Sequence, residues 1–369
     1  MKLLNNILIV LVLTFISCDR NKENVIEEEE RKDSNYEYGT YDSTAHQLAY
    51  PSYVSQPYTN NDNPLTKKGV LLGRKLFYDP IISGDSSVSC ANCHKQEKAF
   101  TSRGVRFRNT YKGLTLERNS MALFNDAWDG HFAWDNREDI LEEKVIASLN
   151  NPHGINGNST IVFERLLNHP DYPRHVFEAF NSYNINEEVV ANALAQFIRS
   201  ITSFNSKFDQ YLQGLINLED EELLGYQIYA TEKGDCFHCH NPEGGLFQLD
   251  QAQNNGLDSS NTTTGFDDYG YGNVSNNEFD NGKFKATSIR NIAFTAPYMH
   301  DGRFETLREV LDHYNAGGHF SPSVSPTLKY IGTGLQLTEE QLDHLEAFLG
   351  TLNDSSLLTD TTYSNPFTE

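Results

Sequence analysis

Apolar residues recur at helical spacing along most of this chain, and this periodicity predicts a mainly α-helical fold. One predicted helix carries an apolar stripe made of Val189, Val190, Ala193, Leu194, Phe197, Ile198 and Ile201. A second carries Leu307, Val310, Leu311 and Tyr314. Residues 139–149 and 338–349 fit the same template, whereas no run of residues alternates between apolar and polar as a half-buried strand would.

The chain also carries signals for where regular structure begins and stops. Thr338 and Gln341 stand three residues apart at the start of the last predicted helix, which is the spacing of a capping box. Residues 250–282 are rich in Asn, Gly, Asp and Thr, and this composition predicts a long irregular loop. The pattern therefore predicts helices interrupted by an extended loop in the second half of the chain.

The sequence Cys-x-x-Cys-His occurs twice, at residues 90–94 and again at 236–240. Two thiols three positions apart can bond to the two vinyl groups of one haem, and the adjacent histidine can bind its iron from the same turn. The alternative is structural zinc, but zinc sites usually place their cysteine pairs within one small knuckle and need no histidine after both pairs. The motifs therefore predict two covalently bound haem c groups, held by Cys90, Cys93, His94, Cys236, Cys239 and His240.

The remaining cysteine of the 5 in the chain, Cys18, belongs to a predicted targeting segment. Lys2 gives a positive start, residues 3–16 form a mostly apolar run that is short for a membrane span, and Ser17 is small. This arrangement resembles a bacterial lipoprotein signal, with cleavage before Cys18 and lipid on its sulfur. The alternative is an ordinary cleaved export signal. Both interpretations place the protein in the cell envelope, as a periplasmic or surface protein, where haem c is attached.

The chain of 369 residues, 38% of them hydrophobic, is long enough for two domains with buried cores, one for each motif. Residues 27–30 are all Glu, and the surrounding segment shows little apolar periodicity, which is typical of a solvated tether. The predicted organisation is a lipoprotein-type signal peptide at 1–18, an acidic tether at 19–62, an N-terminal haem c domain at 63–210, a C-terminal haem c domain at 211–353 and a tail at 354–369.

The formal net charge of −22 argues against a nucleic-acid partner, because a polyanion would be repelled by the average field of the protein. A basic electron donor fits this charge better. Solubility is the plain alternative explanation for the acidity.

Five stretches of the sequence match a known family. They are LGRKLFYDP at 72–80, SCANCH at 89–94, ERNS at 117–120, WDNRE at 134–138 and IRNIAFTAPYMHDGRFETL at 289–307. From about residue 63 to residue 353 the chain resembles the bacterial di-haem cytochrome c peroxidase family, which includes the methylamine-utilisation enzyme MauG. The resemblance implies two cytochrome c-like domains.

The resemblance also implies how the two haems divide the work. In this family the N-terminal haem usually binds peroxide at an open iron position, and the C-terminal haem passes electrons. His94 and His240 would be the proximal iron ligands. Trp134 matches a tryptophan that helps electrons cross between the haems, although such a residue is also common in a core. The resemblance further implies a calcium ion between the domains, at the positions of Asn119, Thr295 and Pro297; the alternative for Asn119 is a turn cap.

The sixth ligand of the second haem departs from the peroxidase pattern. Peroxidases of the family have a methionine where this chain has Tyr314, and MauG has a tyrosine there. A phenolate is a hard anionic ligand, which favours ferric iron and lowers its potential, whereas methionine raises it. A buried core tyrosine is the alternative for Tyr314, and Met299 is the competing ligand.

The predicted peroxide pocket is the second departure. The family's acid–base glutamate, which donates a proton as the O–O bond breaks, is replaced here by Gly154. Three interpretations follow for the neighbouring residues. His153 can replace the glutamate as acid and base, His153 or Lys144 can close the sixth position of the iron, or His153 can lie on the surface.

These observations together predict an exported di-haem cytochrome c peroxidase-like enzyme. It would reduce hydrogen peroxide with electrons from a donor cytochrome c or cupredoxin, and the homodimer common in the family is a further expectation. The alternatives are MauG-like oxidation of a side chain on a partner protein, and a two-haem electron carrier without peroxidase activity. The predicted catalytic residues are His153 and Trp134.

Overall fold

The computed structural model describes residues 39–102, 116–156 and 160–368. Cys18 and the predicted signal peptide lie outside this part of the chain. The helices within it are α1 (Lys67–Tyr78), α2 (Leu141–Asn150), α3 (Thr160–Leu167), α4 (Tyr172–Phe180), α5 (Glu187–Ser200), α6 (Lys207–Leu212), α7 (Asp220–Tyr229), α8 (Gly272–Ser275), α9 (Leu307–Asn315) and α10 (Glu339–Gly350). A two-stranded sheet is formed by β1 (Leu249–Gln253) and β2 (Phe284–Ala286).

The mainly α-helical prediction is confirmed, and the four helices expected from the apolar pattern are present as α2, α5, α9 and α10. The capping box at the start of α10 also forms. Its Thr338 hydroxyl accepts the backbone N–H of Gln341 at 3.3 Å, and the Gln341 side chain accepts the backbone N–H of Thr338 at 3.2 Å. Within the described residues, no helix combines the length and the apolar character needed to cross a bilayer.

Buried apolar side chains form two large clusters, and each cluster carries one Cys-x-x-Cys-His motif. The first lies among α1 to α5 and contains Phe77 and Phe197, whose rings are 5.2 Å apart; Cys90 packs against it. The second lies among α6, α7, α9 and α10, and Cys236 packs against it. Each motif is therefore anchored to its own core.

A glycine allows the close helix crossing at the centre of each core. A Cβ atom added at Gly73 in α1 would overlap the backbone carbonyl of Ala193 in α5. A Cβ atom at Gly225 in α7 would overlap the backbone carbonyl of His344 in α10 in the same way. The two halves therefore pack in the same way. In each half, the helix before the Cys-x-x-Cys-His motif crosses a later helix at a glycine.

The predicted loop at 250–282 is largely irregular, but β1 overlaps its start. This strand pairs antiparallel with β2 just beyond its end, in a register that sets Gln253 opposite Phe284 and includes a bulge. The backbone N–H of Lys285 in β2 also donates to the carbonyl of Trp134 at 2.7 Å. The ladder thus closes the loop and ties it to the first half of the chain. Both strands are short and lack alternation, so the sequence pattern did not indicate them.

Both ends of the described chain place isolated apolar side chains against the rest of the fold, although most residues of 39–62 are exposed. In the segment 39–62, which the sequence predicts as the end of the tether, Val54 is buried and the carbonyl of Ser55 accepts the indole N–H of Trp128 at 2.7 Å. In the predicted tail, Leu357 and Tyr363 are buried in the first core. Each segment is held by a few isolated apolar side chains, and these leave no periodic trace in the sequence.

A buried ion pair in the second half of the chain also accepts a hydrogen bond from the segment 39–62. The guanidinium of Arg290 donates to the carboxylate of Asp209, and both side chains are completely buried. The same guanidinium donates to the carbonyls of Ser203 at 2.9 Å and Gly245 at 2.6 Å, while the hydroxyl of Tyr53 donates to Asp209 at 2.6 Å. Every polar atom of this ion pair has a hydrogen-bond partner. Removing one of the two side chains would therefore leave the other as a buried charge without its counter-charge.

Gly225→Ala is expected to lower the free energy of unfolding by about 1–3 kcal/mol, because the added methyl group must push α7 away from α10. Urea denaturation of the haem-loaded protein measures the effect. Gly350→Ala is the matched control, since nothing lies within 4 Å of a Cβ at that position. Equal unfolding midpoints for Gly225→Ala and the wild type would contradict the close crossing.

Arg290→Met is expected to destabilise the protein by about 3–5 kcal/mol, because Asp209 is left as a buried unpaired charge. The double variant Arg290→Met/Asp209→Leu should recover much of this loss, and the same unfolding experiment compares the two. Arg308→Met, which breaks only ion pairs with exposed acidic groups of α10, should cost less than about 1 kcal/mol. A double variant no more stable than Arg290→Met would show that the pair does not act as a unit.

A candidate di-haem site

A single cavity of about 1460 Å³ connects the two Cys-x-x-Cys-His motifs. Its lining includes all six motif residues that the sequence predicts as haem-binding, together with Trp134 and Tyr314. Sites for one drug-sized ligand usually enclose about 300–1,000 Å³, so this cavity has room for more than one such group. Its walls offer more apolar than polar surface, as a porphyrin requires.

The two motifs adopt the same local structure. Each begins with a single 3₁₀ turn, Cys90–Asn92 in the first and Cys236–His238 in the second. In both, the carbonyl of the first cysteine accepts the backbone N–H groups of the second cysteine and of the histidine, at 3.0–3.2 Å. This turn places two thiols and one imidazole on the same short stretch of backbone. All four cysteines are free thiols.

The histidine of each motif is held by its Nδ1 atom. Nδ1 of His94 lies 3.0 Å from the carbonyl oxygen of Phe100, and Nδ1 of His240 lies 3.0 Å from that of Thr287. A neutral imidazole that donates through Nδ1 keeps its lone pair on Nε2, the atom that then binds a metal. Burial lowers the pKa of His94 to about 4 and also lowers the pKa of His240, so both rings are neutral at pH 7. The motif residues therefore fit two haem groups.

Both candidates for the sixth ligand of the second haem lie at the same place. The amide nitrogen of Asn255 is 3.2 Å from the hydroxyl oxygen of Tyr314 and 3.4 Å from the sulfur of Met299. Burial raises the pKa of the Tyr314 phenol to about 12, while the hydrogen bond from Asn255 favours the ionised form. Asn255 was not indicated by the sequence, because an Asn within an Asn-rich loop carries no distinguishing signal.

Asn119 connects Trp134 to the long matching stretch at 289–307. Its carbonyl accepts the indole N–H of Trp134 at 2.8 Å, and its amide nitrogen donates to the carbonyl of Pro297 at 2.7 Å. Its side-chain oxygen Oδ1 is buried without a hydrogen-bond partner among the described residues. An unpaired buried oxygen beside a backbone carbonyl is an arrangement that a calcium ion would satisfy. Thr295 lies two residues before Pro297 and lines the same cavity.

The loop after α2 carries the residues that replace the family's N-P-x-E motif. The side chain of Asn151 accepts the backbone N–H of His153 at 2.9 Å, and its carbonyl accepts that of Gly154 at 2.9 Å. His153 is exposed, at the edge of the cavity. A Cβ atom added at Gly154 would lie 3.4 Å from its nearest neighbour, an ordinary contact, so packing does not require a glycine at this position.

Two further ionisable side chains line the cavity beside His94. Lys144 of α2 is half-buried and donates to the hydroxyl of Ser148 at 3.0 Å, and burial lowers its pKa. Its charge is close enough to His94 to contribute to the lowered pKa of that ring. Glu138, which the sequence did not single out, has a buried carboxylate oxygen that makes no hydrogen bond within the described part of the chain, and burial raises its pKa.

Comparison with known proteins identifies the family. A family model described as di-haem cytochrome c peroxidase matches residues 67–217. The methylamine utilization protein MauG of Methylorubrum extorquens is 34% identical over 298 residues, which cover 79% of this chain and 79% of that protein. The cytochrome-c peroxidase IdrP2 of a Pseudomonas species is 31% identical over 313 residues, which cover 78% of this chain and 82% of that protein.

A solved structure extends this likeness to the fold. The crystal structure of a MauG-like protein associated with microbial copper homeostasis superposes with a TM-score of 0.79 at 32% sequence identity, over 88% of this chain and 100% of that one. The motifs, the cavity that joins them and these relatives agree. The chain therefore belongs to the di-haem cytochrome c peroxidase family, and it is a peroxidase-like haem enzyme.

Proposed function

We propose that this protein reduces hydrogen peroxide at the His94 end of the cavity, with electrons that enter at the His240 end. The observation that carries the proposal is the single cavity lined by both motifs, with Trp134 in its wall. Membership of a di-haem family implies the haem cofactors. Their covalent attachment through Cys90, Cys93, Cys236 and Cys239 is proposed from the motif spacing and the free thiols.

The proposed reaction takes two electrons and two protons from outside and converts one hydrogen peroxide to two waters. The haems would supply the iron centres that take up and release single electrons in this reaction. The Nδ1 hydrogen bonds to the carbonyls of Phe100 and Thr287 orient the neutral rings of His94 and His240, so that Nε2 of each ring is available to bind iron. Tyr314 is proposed as the second protein ligand at the His240 end, where Asn255 orients its hydroxyl.

Trp134 is proposed to conduct electrons along the cavity. Its ring lies in the cavity wall, and its N–H group is fixed by the carbonyl of Asn119. The proposed calcium site uses the side-chain oxygen of Asn119 and the backbone carbonyls of Thr295 and Pro297. A calcium ion there would set the position of Asn119, and through it the orientation of the indole.

The electron donor is proposed to be a cytochrome c or a cupredoxin with a basic face, because the chain carries a net charge of −22. The proton that assists cleavage of the O–O bond must come from a group other than residue 154, since glycine has none to give. His153 is the candidate from the sequence, and its exposed position at the cavity edge gives it access to solvent.

A second function is favoured by one specific observation. The residue on α9 that is proposed as the second iron ligand is Tyr314 rather than a methionine, and the chain is 34% identical to the MauG of Methylorubrum extorquens. A phenolate ligand favours ferric iron. A tyrosine ligand therefore suits an enzyme that uses peroxide to oxidise a side chain of a partner protein. In that case the partner would replace the small electron donor.

The function is tested by mixing the haem-loaded protein with peroxide and reduced cytochrome c and following oxidation of the donor. Steady turnover is expected, and Trp134→Phe should reduce it by about tenfold or more with unchanged haem content, because the ring in the cavity is altered. Trp128→Phe is the control, since Trp128 packs in a separate small cluster with Val54 and Ala127. Turnover at the level of a buffer blank would reject the peroxidase and leave the partner-oxidising enzyme or the carrier.

Asn119→Ala is expected to weaken calcium binding by at least about tenfold, since loss of even an outer-shell partner typically costs 10–100-fold in metal affinity. Calorimetric titration of calcium into chelator-treated, haem-loaded protein measures the affinity. The exposed Asn205→Ala is the control. If the wild type binds no calcium after chelation, or binds it as tightly as Asn119→Ala does, this site is not a calcium site.

A further inference from the structure

Glu138, the last residue of the WDNRE stretch, carries a carboxylate to which the sequence assigned no role. Glu138 lines the cavity, and its oxygen Oε2 is buried without a hydrogen-bond partner among the described residues. A buried carboxylate oxygen without a partner is costly, and such groups in native proteins often have a catalytic role. The family's own proton-transferring glutamate is missing, because Gly154 stands in its place.

The backbone holds Glu138 in a fixed position. Its carbonyl accepts the backbone N–H of Phe132 at 2.7 Å, which closes the turn that contains Trp134. The helix α2 begins at Leu141, three residues later. The side chain of Glu138 is therefore supported on one side by this turn and on the other by α2.

The charges around Glu138 come from four groups. Lys144 and Arg137 favour its ionised form, whereas Asp135 and Glu143 oppose it, and burial opposes it most. Within the described residues, the ammonium group of Lys144 donates to the hydroxyl of Ser148 at 3.0 Å and not to the carboxylate of Glu138. A carboxylate whose pKa is raised by burial, near a cation that does not pair with it, is suited to accept a proton and return it.

The turn and the helix that flank Glu138 belong to the core that holds the first motif. Phe132, Leu141 and Val145 are buried in that core, and Cys90 packs against it. Glu138 therefore lines the cavity from the side of the first motif, and the charge of Lys144 acts on both Glu138 and His94. That side of the cavity is where peroxide is proposed to react. His153, by contrast, is exposed on the loop beyond the other end of α2.

We propose that Glu138 is the acid–base residue of the His94 site and takes the place of the glutamate lost at Gly154. The proposal rests on the proposed peroxide chemistry of that site. Glu138 accepts the proton of the peroxide oxygen that binds and delivers it to the other oxygen as the O–O bond breaks, so that one water leaves. The donor supplies two electrons, and solvent supplies the two protons that complete the second water.

The experiment measures cyanide binding as well as turnover. Hydrogen cyanide, like hydrogen peroxide, must lose a proton when it binds ferric iron, so a nearby base speeds its association. Stopped-flow absorbance of the oxidised, haem-loaded protein gives this rate. Glu138→Gln should slow both cyanide association and the reaction with peroxide by about 10²–10⁴-fold, the usual contribution of an acid–base group. Glu164→Gln is the matched control and should bind cyanide at the wild-type rate, because Glu164 is exposed on α3 and does not line the cavity.

The pH profile adds a readout that a purely structural role would not affect. Lys144→Met removes a cation that favours the ionised carboxylate, so the rise of the cyanide rate with pH should move to higher pH. Unfolding midpoints and absorption spectra of each variant confirm that it is folded and loaded. A downward or absent shift would contradict the role of Glu138 as the base.

The outcomes separate this proposal from the proposed function. Wild-type protein that binds cyanide with dependence on Glu138, yet shows no peroxidase turnover, would reject the peroxidase and retain the acid–base assignment. Unchanged cyanide rates in Glu138→Gln, with a slow rate in His153→Ala, would assign the role to His153 and overturn the proposal. A wild-type protein that binds no cyanide would show that the first iron has no open position, which also overturns it.

Discussion

The hydrogen bond from Nδ1 of each motif histidine to a backbone carbonyl is the interaction on which the rest of this site depends. It fixes the tautomer, and it leaves Nε2 as the atom that can bind iron. Burial keeps both rings neutral. The carbonyls belong to Phe100 and Thr287, which lie outside the two motifs, so each site is complete only when its core has formed. The glycine crossings at Gly73 and Gly225 make those cores possible by letting paired helices approach closely.

The two ends of the cavity have the same local backbone structure, but different side chains line them. At the His240 end, a phenol and a thioether lie at one amide, that of Asn255. At the His94 end, a half-buried lysine lies near a carboxylate that has one oxygen without a partner in the described part of the chain, and Gly154 stands where the family has a glutamate. The His240 end thus offers candidate iron ligands, and the His94 end offers groups that can exchange protons. This asymmetry suits a division between electron entry and peroxide chemistry.

Asn119 links the two halves of the chain through individual hydrogen bonds. It contacts Trp134 through its carbonyl, Pro297 through its amide and the carbonyl of His300 through its backbone N–H, at 2.7 Å. The β1–β2 ladder adds a second link, from Lys285 to the carbonyl of Trp134. Trp134 is therefore fixed by both halves of the chain, which explains why its position depends on residues more than 150 places away.

The sequence alone determined the helical fold class, the four strongly periodic helices, the start of α10 and the composition of the two motif turns, because these depend on residues within about one or two helical turns of each other. The same locality explains the prediction that both motifs serve as haem sites. Other features depended on contacts between distant segments. Val54 and Tyr363 pack into cores although nothing around them is periodic, and the short ladder at Gln253 has no alternation. Only the tertiary structure brought Asn255 to Tyr314 and left Glu138 beside Lys144, because burial and the meeting of side chains are set by how distant segments pack.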